Sequence, residues 1–441
     1  MAASVFDSPL FAHLFPTGEA GRLFSDTAAL RAMLLVEGAL ARAQAAQGII
    51  PELSAKAIQR ATMEIQIDPG AIARATGENG VSVPGLVAAF RTEMNAPEHA
   101  QYLHWGATSQ DIIDTGLMLR LRQLLLLAEA DLRAIIAALA DQAEPHAATP
   151  MAGRTYGQHA TPTSWGAVVA DWGHSLSDLL EALPALRESS LFVSLSGAAG
   201  TSSALGPEAA ETRAALATGL GLHDPKRSWH VDRGPLLRIA DWLAQVSAVL
   251  SRMGGTMIAL TSSEVAELTL GAAGASSTMP QKQNPVAPSV LQALGMQSAG
   301  LRASLTPATQ HLHQRDGAAW FAEWMILPQI ALGAACGLQH AKALAQGMTP
   351  DTARMARNLE GGLGLIHAEA LSFALASTLP RPQAQAETKA LCRAAQETGT
   401  PLEKVARAAH PELPAALFHA DQSLGLAPQE ARAFAARARA L

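Results

Sequence analysis

A stretch of small residues between two long apolar runs carries polar side chains whose types suggest a particular chemistry. Residues 271–285 read GAAGASSTMPQKQNP and include Ser276, Ser277, Lys282 and Asn284. Glycine and alanine leave the backbone free to move, and each of the two prolines disfavours helix in the residue before it. The sequence predicts a loop that presents hydroxyl groups, one cation and amide groups. This set suits the binding of a carboxylate and the stabilisation of an enolate-like charge beside it.

A second polar stretch, HWGATSQDIIDT, begins at His104 and leads into a long apolar-periodic run. Thr108 and Asp111 match the S/T-x-x-D/E pattern that caps a helix N-terminus. Neutral donors at the start of a helix favour an anion, because the helix dipole is positive there. Three residues could supply these donors: Thr108, Ser109 and Gln110.

The third polar stretch, MAGRTYGQHATPTSWG, covers residues 151–166. Arg154 in this stretch, and Arg315 in the later segment HLHQRDGAAW, could each bind a carboxylate through the fork geometry of a guanidinium group. Either arginine could equally form a structural ion pair. His159 could donate a hydrogen bond to a substrate or satisfy a nearby helix end, since a neutral imidazole serves both purposes.

Long helices must position these stretches. Of the 441 residues, 49% are hydrophobic and 4% are aromatic, and the many alanines and leucines favour helix over sheet. The run from residue 108 to about 145 would form a helix of ~50 Å, and a second rod of roughly that length is predicted from 236 to about 270. Thr161 and Pro162 fit a helix cap and a first helical residue. We therefore predict an all-α fold around a bundle of long helices.

Three helical domains are predicted along the chain, which is long enough for two or three domains of roughly 100–200 residues each. Residues 1–110 consist of short candidate helices broken by turns. Residues 111–348 form the central long-helix bundle, with a mobile loop at 271–285. Residues 349–441 form a C-terminal domain of small helices, where charges and prolines become more frequent.

Composition and charge argue against several classes of function. The net charge is −6 and the chain has no basic stripe, which argues against nucleic acid as a partner. No run of about 18 uninterrupted apolar residues is found, so no membrane span is predicted. The N-terminus lacks a signal-peptide pattern, and Cys336 and Cys392 lie far apart, which predicts a cytoplasmic protein. Scattered histidines and missing nucleotide-binding motifs predict neither a metal nor another cofactor.

Taken together, the three stretches resemble the three signature regions of the fumarase/aspartase superfamily, whose enzymes cleave or form a bond β to a carboxylate. The resemblance spans nearly the whole chain, and SSTMPQKQNP is a highly specific match. Three local features resemble the bacterial cycloisomerases of that superfamily, which close a carboxymuconate into a lactone. These features are HWGATSQD, the SWH at residues 228–230 and the DGAAWFAEWMILPQ segment at residues 316–329.

Departures from the superfamily patterns are informative as well. Many of its lyases place a His directly after the Thr of the region that residues 151–166 resemble, and a Glu seven residues after the loop lysine. This chain has Tyr156 and Ser289 at those positions. An internal carboxylate needs no separate acid to help it leave, whereas an amine or hydroxide does, so a cycloisomerase is favoured. Gln281, Gln283 and Gln314 depart from the cycloisomerase pattern and bear on which substrate is used.

The resemblance also implies roles for the candidate residues. Ser276 would carry the proton, its alkoxide stabilised by the loop, while Lys282 and Asn284 would stabilise an aci-carboxylate dianion. His159 is the second catalytic candidate. His104 would contact a substrate carboxylate or, alternatively, only pack against the adjacent tryptophan. The implied substrate-binding set is His104, Thr108, Ser109, Gln110, Arg154, Thr155, Gln158, Lys282, Asn284 and Arg315.

The resemblance further implies a small polycarboxylate substrate and a homotetramer whose sites draw the three stretches from different chains. Two alternatives stay open. One is another lyase of the superfamily, for example one that performs β-elimination on a substrate like adenylosuccinate. The other is a non-catalytic helical scaffold that keeps the same fold.

Overall fold

The computed structural model describes residues 4–271, 274–275, 279 and 282–441, so the predicted proton carrier Ser276 lies outside the described residues. Helices dominate the described chain, and the predicted all-α class is confirmed. Packing divides the chain into two compact units. Unit 1 comprises Met1–Ala130, Glu181–Ala248 and Ala293–Gln339, and unit 2 comprises Asp131–Leu180, Val249–Gln292 and His340–Leu441. The division into three domains at residues 110 and 348 stays a prediction.

The first helices of unit 1 are α1 Gly18–Leu23, α2 Asp26–Ala46, α3 Glu52–Glu64, α4 Pro69–Asn79, α5 Val83–Met94 and α6 Pro97–Ala100. Ser25 caps α2 by accepting a hydrogen bond from the Ala28 backbone N–H at 3.3 Å. Gly80 and Asn95 end α4 and α5 in the left-handed conformation, which these residue types adopt at low cost. Most of α2 is buried, including Glu37, and a buried carboxylate needs a partner inside the protein.

The next helices in the chain are α7 Ser109–Ala143, α8 Trp165–Glu181, α9 Leu183–Ser190, α10 Ala209–Leu220, α11 Gly234–Thr261, α12 Val286–Leu305 and α13 Gly317–Gly347. Helix α7 begins one residue after the predicted cap Thr108, and its 35 residues make it ~50 Å long, as predicted. The rod predicted to reach about residue 270 ends earlier, at Thr261. The chain leaves it through a turn in which Ala266 has a φ of 50°.

A β-hairpin occupies the place of the helix predicted at Pro162, so that prediction is wrong. Strand β1, Pro150–Thr155, pairs antiparallel with β2, Gln158–Ser164, and α8 starts only at Trp165. Tyr156 and Gly157 form the connecting turn with φ angles of 53° and 75°, the positive values that tight two-residue hairpins need. The Thr-Pro pair was ambiguous, because proline also fits the edge strand of a two-stranded sheet.

The remaining elements belong to unit 2. Strand β3, Leu268–Thr269, pairs with β6, Thr349–Pro350, and β4, Gly274–Ala275, pairs with β5, Gln283–Asn284. The C-terminal helices are α14 Thr352–Glu360, α15 Ala368–Leu375, α16 Arg381–Thr398, α17 Leu402–Ala409 and α18 Ala427–Ala440. Helices α15, α16 and α17 bury a shared apolar cluster that includes Leu371, Leu391 and Leu402.

Helices α11 and α13 are long and apolar enough, by length and composition alone, to cross a membrane. The most apolar windows of these two helices are 44% and 56% buried inside the protein. Core helices of soluble proteins pass the same test, since a helix buried on several faces is apolar on several faces. The absence of a membrane span stays a prediction.

Candidate active site

His104 is held in place by a buried carboxylate of α2. Its Nδ1 lies 2.7 Å from Oε1 of Glu37, whose side chain is only 1% exposed. Burial disfavours the charged imidazole, but the hydrogen bond and negative charge of Glu37, with a contribution from Asp111, outweigh burial and raise the pKa of His104. At a given pH, a larger fraction of His104 is therefore cationic than of an ordinary histidine. A cationic imidazole at this position could pair with a carboxylate.

Three of the predicted substrate-binding residues lie together at the first turn of α7. Arg315 donates from Nε to Oε1 of Gln110 at 2.8 Å and from Nη2 to Oγ1 of Thr108 at 3.3 Å. Arg315 also donates from Nη2 to the backbone carbonyl of Ala198 at 3.3 Å. Ser109 is the first residue of α7 and is partly exposed. Neutral donors, a guanidinium group and a helix N-terminus thus share one place, a combination suited to an anion.

Asp111 anchors this first turn and is a residue to which the sequence assigned only a cap. Its buried carboxylate accepts a hydrogen bond from the Thr108 backbone N–H at 3.0 Å, which bears out the capping pattern. His230 Nε2 lies 2.8 Å from Asp111 Oδ1, and further donors come from the loop after Val193: Ser194 Oγ, Ser196 N and Gly197 N. Burial would raise the pKa of Asp111, but His230 and the backbone donors outweigh it and lower this pKa.

A fully buried ion triad lies deeper in unit 1. Arg233 donates to both carboxylate oxygens of Asp114, at 2.7 and 3.0 Å, and to both of Glu323, at 2.8 Å each. Burial opposes the charge of Arg233, yet the two carboxylates outweigh it and raise the arginine pKa further. Gln110 links the triad to the surface, since its Nε2 donates to Asp114 at 3.2 Å and its Oε1 accepts from Arg315. The orientation of Gln110 thus depends on a buried charge network.

In unit 2, Arg154 forms the ion pair that the sequence left open as an alternative. Its two terminal nitrogens donate to Glu267 at 2.8 and 2.7 Å, and the Glu267 side chain is fully buried. Asn358 donates to the same carboxylate at 2.7 Å. The Arg154 side chain keeps 19% of its surface exposed. A ligand carboxylate at this position would share the guanidinium group with Glu267.

The other residues predicted from the same stretch lie at the tip of the β1–β2 hairpin. Thr155 is paired with Gln158, and Arg154 with His159, in the strand register. The side chains of Thr155, Gln158 and His159 are all exposed, as is Tyr156, which projects fully from the turn. The hairpin therefore presents these polar groups outward instead of packing them against its own unit.

The stretch at residues 271–285 is described only in part. Lys282 is exposed, and its backbone N–H donates to the Met279 carbonyl at 3.0 Å. Asn284 is partly buried in β5, opposite Gly274. Ser289 lies exposed on α12, where its hydroxyl donates to the carbonyl of Pro285 at 2.8 Å.

Sequence reasoning missed the residues that support the site. Asp114, Arg233 and Glu323 received no role, and His230 was noted only as part of the SWH feature. Each is a charged or polar residue within or beside an apolar helical run, which was the available signal. Across the described ranges, no group of three or more His, Cys, Asp or Glu residues could hold a metal ion. The absence of a metal and of any cofactor stays a prediction.

Comparisons with known proteins bear on the identity of this arrangement. A family profile described as "Lyase" matches residues 17–300, which is more than half of the chain. The chain belongs to this lyase family. The resemblance of the three polar stretches to the fumarase/aspartase superfamily is thereby confirmed.

Relatives within the lyase family differ in activity. The 3-carboxy-cis,cis-muconate cycloisomerase of Pseudomonas aeruginosa is 40% identical over 393 residues, which cover 88% of this chain and 86% of that protein. The nitrosuccinate lyase of Streptomyces davaonensis is 37% identical over 421 residues, which cover 92% of this chain and 88% of that protein. Among solved structures, the 3-carboxy-cis,cis-muconate lactonizing enzyme from Pseudomonas putida matches with a TM-score of 0.92 and 35% identity, over 98% of this chain and 99% of that chain.

Proposed function

We propose that this protein is a cycloisomerase that closes 3-carboxy-cis,cis-muconate into 4-carboxymuconolactone, a step in the protocatechuate branch of the β-ketoadipate pathway. The observation that carries the proposal is the 40% identity to a cycloisomerase of that name over 88% of the chain. Tyr156 and Ser289 support it, because they stand where many lyases of the superfamily place the His and Glu that help an amine or hydroxide to leave.

The reaction adds a carboxylate oxygen of the substrate to its own diene. A carbon–oxygen bond forms at the carbon β to another carboxylate, and the electron pair of the double bond moves onto the α-carbon and its carboxylate. The resulting aci-carboxylate dianion then takes one proton at the α-carbon, so atoms and charge balance. The barrier falls if the dianion is stabilised where its charge develops, the role proposed for Lys282 and Asn284. Ser276 is the proposed proton donor.

The binding residues proposed in unit 1 suit a polyanion. His104 favours its charged form beside Glu37, and Arg315 adds a permanent charge next to the donors of the first α7 turn. The neutral members of this set are Thr108, Ser109 and Gln110. Together, the charged and neutral residues of this set would hold the substrate carboxylates in one orientation. The attacking oxygen would then lie near the diene.

In unit 2, Arg154, Thr155, Gln158 and His159 are the proposed contributors, with His159 as the second catalytic candidate. Thr155, Gln158 and His159 are exposed at a hairpin tip. Groups so exposed bind a substrate tightly only when something else covers them. We therefore propose a homotetramer in which sites form between subunits, the arrangement that the superfamily resemblance implies. Cys336 and Cys392 are both free thiols, in keeping with the cytoplasmic location proposed here.

The experiment that tests the activity follows the loss of muconate absorbance with purified wild type and with Ser276→Ala. Removing an acid–base group costs at least ~100-fold in kcat, which is the expected drop for the variant. Ser277→Ala, the adjacent matched change, should retain most of the rate. An unchanged rate in Ser276→Ala would remove Ser276 from the mechanism, and no turnover by wild type would reject this substrate.

A second candidate is a β-elimination lyase, because the chain is 37% identical to a nitrosuccinate lyase over 92% of its length. Gln281, Gln283 and Gln314 depart from the cycloisomerase pattern and leave room for another substrate. An assay of fumarate formation from nitrosuccinate and from adenylosuccinate separates the two functions. Turnover there, without loss of muconate absorbance, would favour elimination. If neither assay showed turnover, the non-catalytic scaffold would be the remaining hypothesis.

A further inference from the structure

Unit 1 contains a cavity of about 570 Å³ between α2, α3, α7 and α10, and none of the predicted site residues lines it. Known small-molecule sites have volumes of roughly 300–1,000 Å³, so its size fits a small ligand. Four arginines contribute to its lining: Arg31, Arg42, Arg120 and Arg122. Among the described residues that line the cavity, none is acidic. The cavity therefore collects positive charge without a carboxylate to balance it.

Two of these arginines have a structural explanation. Arg31 donates from Nη1 to the carbonyl of Thr62 in the last turn of α3. Arg122 donates from Nη1 to the carbonyls of Leu220 and Gly221 at the end of α10. Carbonyl groups at helix C-termini lack partners within the helix and carry partial negative charge, so a nearby arginine satisfies them.

The other two arginines are not explained in this way. Arg120 donates from Nη1 to the Leu23 carbonyl at 3.2 Å, but its Nε is buried without a hydrogen-bond partner in the part of the chain that is described. Burial lowers the pKa of Arg120 to about 10, and the nearby charge of Asp26 only partly opposes this. Arg42 is exposed and pairs with no carboxylate of the described residues.

A desolvated guanidinium group whose charge is only partly balanced is costly, and an anion that reached it would recover part of that cost. Carboxylate and phosphate groups both match the fork of an arginine and form charge-assisted hydrogen bonds with it. Apolar residues form much of the remaining wall, among them Leu35, Met63 and Leu119. The wall thus suits a ligand with an apolar body as well as acidic groups.

We propose that this cavity binds a small organic dianion with an apolar body, held through its acidic groups by Arg42 and Arg120. The site is separate from the residues proposed for catalysis, so the ligand would act as an effector of unit 1 and not as the substrate. Dicarboxylates and phosphate monoesters share the required chemistry. A carboxylate side chain from a second copy of this chain is the competing occupant.

The test uses isothermal titration of full-length protein at pH 8 with two probes, phthalate and phenyl phosphate. Wild type should bind at least one of them. Arg42→Gln should raise the dissociation constant at least ~10-fold, because a charge-assisted bond to the ligand is lost. Arg60→Gln is the matched control: Arg60 lies on α3 in an exposed pair with Glu64, outside the cavity, and its loss should leave binding unchanged. The probe that binds more tightly identifies the acidic group.

A Lys282→Gln variant separates this cavity from the proposed active site, where the probes could also bind. Binding that survives Lys282→Gln and is lost in Arg42→Gln supports the proposal. Binding lost in Lys282→Gln but kept in Arg42→Gln overturns it, as does no binding of either probe by wild type. Light scattering on Arg42→Glu tests whether a carboxylate of a second copy of this chain occupies the cavity instead. If this variant forms a smaller assembly and wild type binds neither probe, the cavity is a contact between subunits.

Discussion

In unit 1, Arg315 donates hydrogen bonds to Thr108 and Gln110, which are in turn held by buried carboxylates. In unit 2, by contrast, Thr155, Gln158 and His159 project from an exposed hairpin tip. The first group is oriented by bonds within its own unit. The second has its backbone fixed by strand pairing but its side chains in solvent. A substitution should therefore act in unit 1 through stability and geometry together, and at the hairpin tip through activity alone.

The largest effect is expected from Arg233→Met. This change leaves Asp114 and Glu323 buried without their cation, and breaking a buried ion pair from one side costs ~3–5 kcal/mol of folding free energy. The urea midpoint of unfolding should fall steeply, or no soluble protein should be obtained. Arg60→Met, which breaks an exposed pair, serves as the control and should leave the midpoint unchanged. A midpoint for Arg233→Met that equals this control would show that the triad does not support unit 1.

Asp111→Asn should come next in size. The substitution weakens the bonds that hold Thr108, His230 and the 194–197 loop, so the first turn of α7 loses its orientation. We expect kcat/KM to fall ~10- to 100-fold, since small displacements of binding groups are costly for catalysis. As Asp111 acts through other residues, its test needs a second measurement that a general loss of stability would not produce.

That measurement is the dependence of stability on pH. The pKa of Asp111 lies below its ordinary value in the folded protein, so its ionised form stabilises the fold at neutral pH. This contribution is fully present above the unfolded pKa of ~3.9 and is lost as pH falls through the lower folded pKa. Melting temperatures measured from pH 5 to pH 2 should therefore fall less steeply, below pH ~4, for Asp111→Asn than for wild type. Parallel curves would contradict the assigned role of the Asp111 charge.

At the hairpin tip, His159→Ala and Gln158→Ala should each lower kcat/KM by ~10- to 100-fold, the range expected on losing a catalytic or positioning group. Melting temperatures should stay within error of wild type, because both side chains are exposed. Tyr156→Ala, in the exposed turn just before these two residues, tests whether any truncation of the tip has the same effect. A melting temperature lowered by His159→Ala would erase the contrast between the two groups.

The smallest effect concerns the charge of His104. Glu37→Gln removes the hydrogen-bonded negative charge that raises the pKa of His104 against the effect of burial. The pKa should therefore fall, and the alkaline limb of the kcat/KM profile should move to lower pH if the imidazolium binds a substrate carboxylate. Glu64→Gln, on the exposed surface of α3, is the matched control. Identical profiles for wild type and Glu37→Gln would leave His104 without a charge-dependent role.

Local patterns predicted the long helices and the polar stretches, because apolar periodicity and capping residues act over a few positions. The cap at Thr108 and Asp111 was one such success. The buried triad could not be predicted from the sequence. Arg233 lies 119 residues from Asp114 and 90 from Glu323, and no local sequence pattern indicates that these residues pair. The hairpin was missed for a different reason: a Thr-Pro pair satisfies both a helix start and an edge strand, and only the folded register decides between them.

The central proposal is that the two groups form one catalytic site only when subunits assemble. Arg315→Ala, in unit 1, and His159→Ala, in unit 2, should each lose activity by ~10- to 100-fold in the muconate absorbance assay. After the two variants are dissociated together and reassembled, some sites would receive both intact groups from different chains. Random mixing in a tetramer predicts that roughly a quarter of the wild-type rate returns. A mixture as inactive as its separate components, with mixed tetramers demonstrated by mass, would contradict the claim.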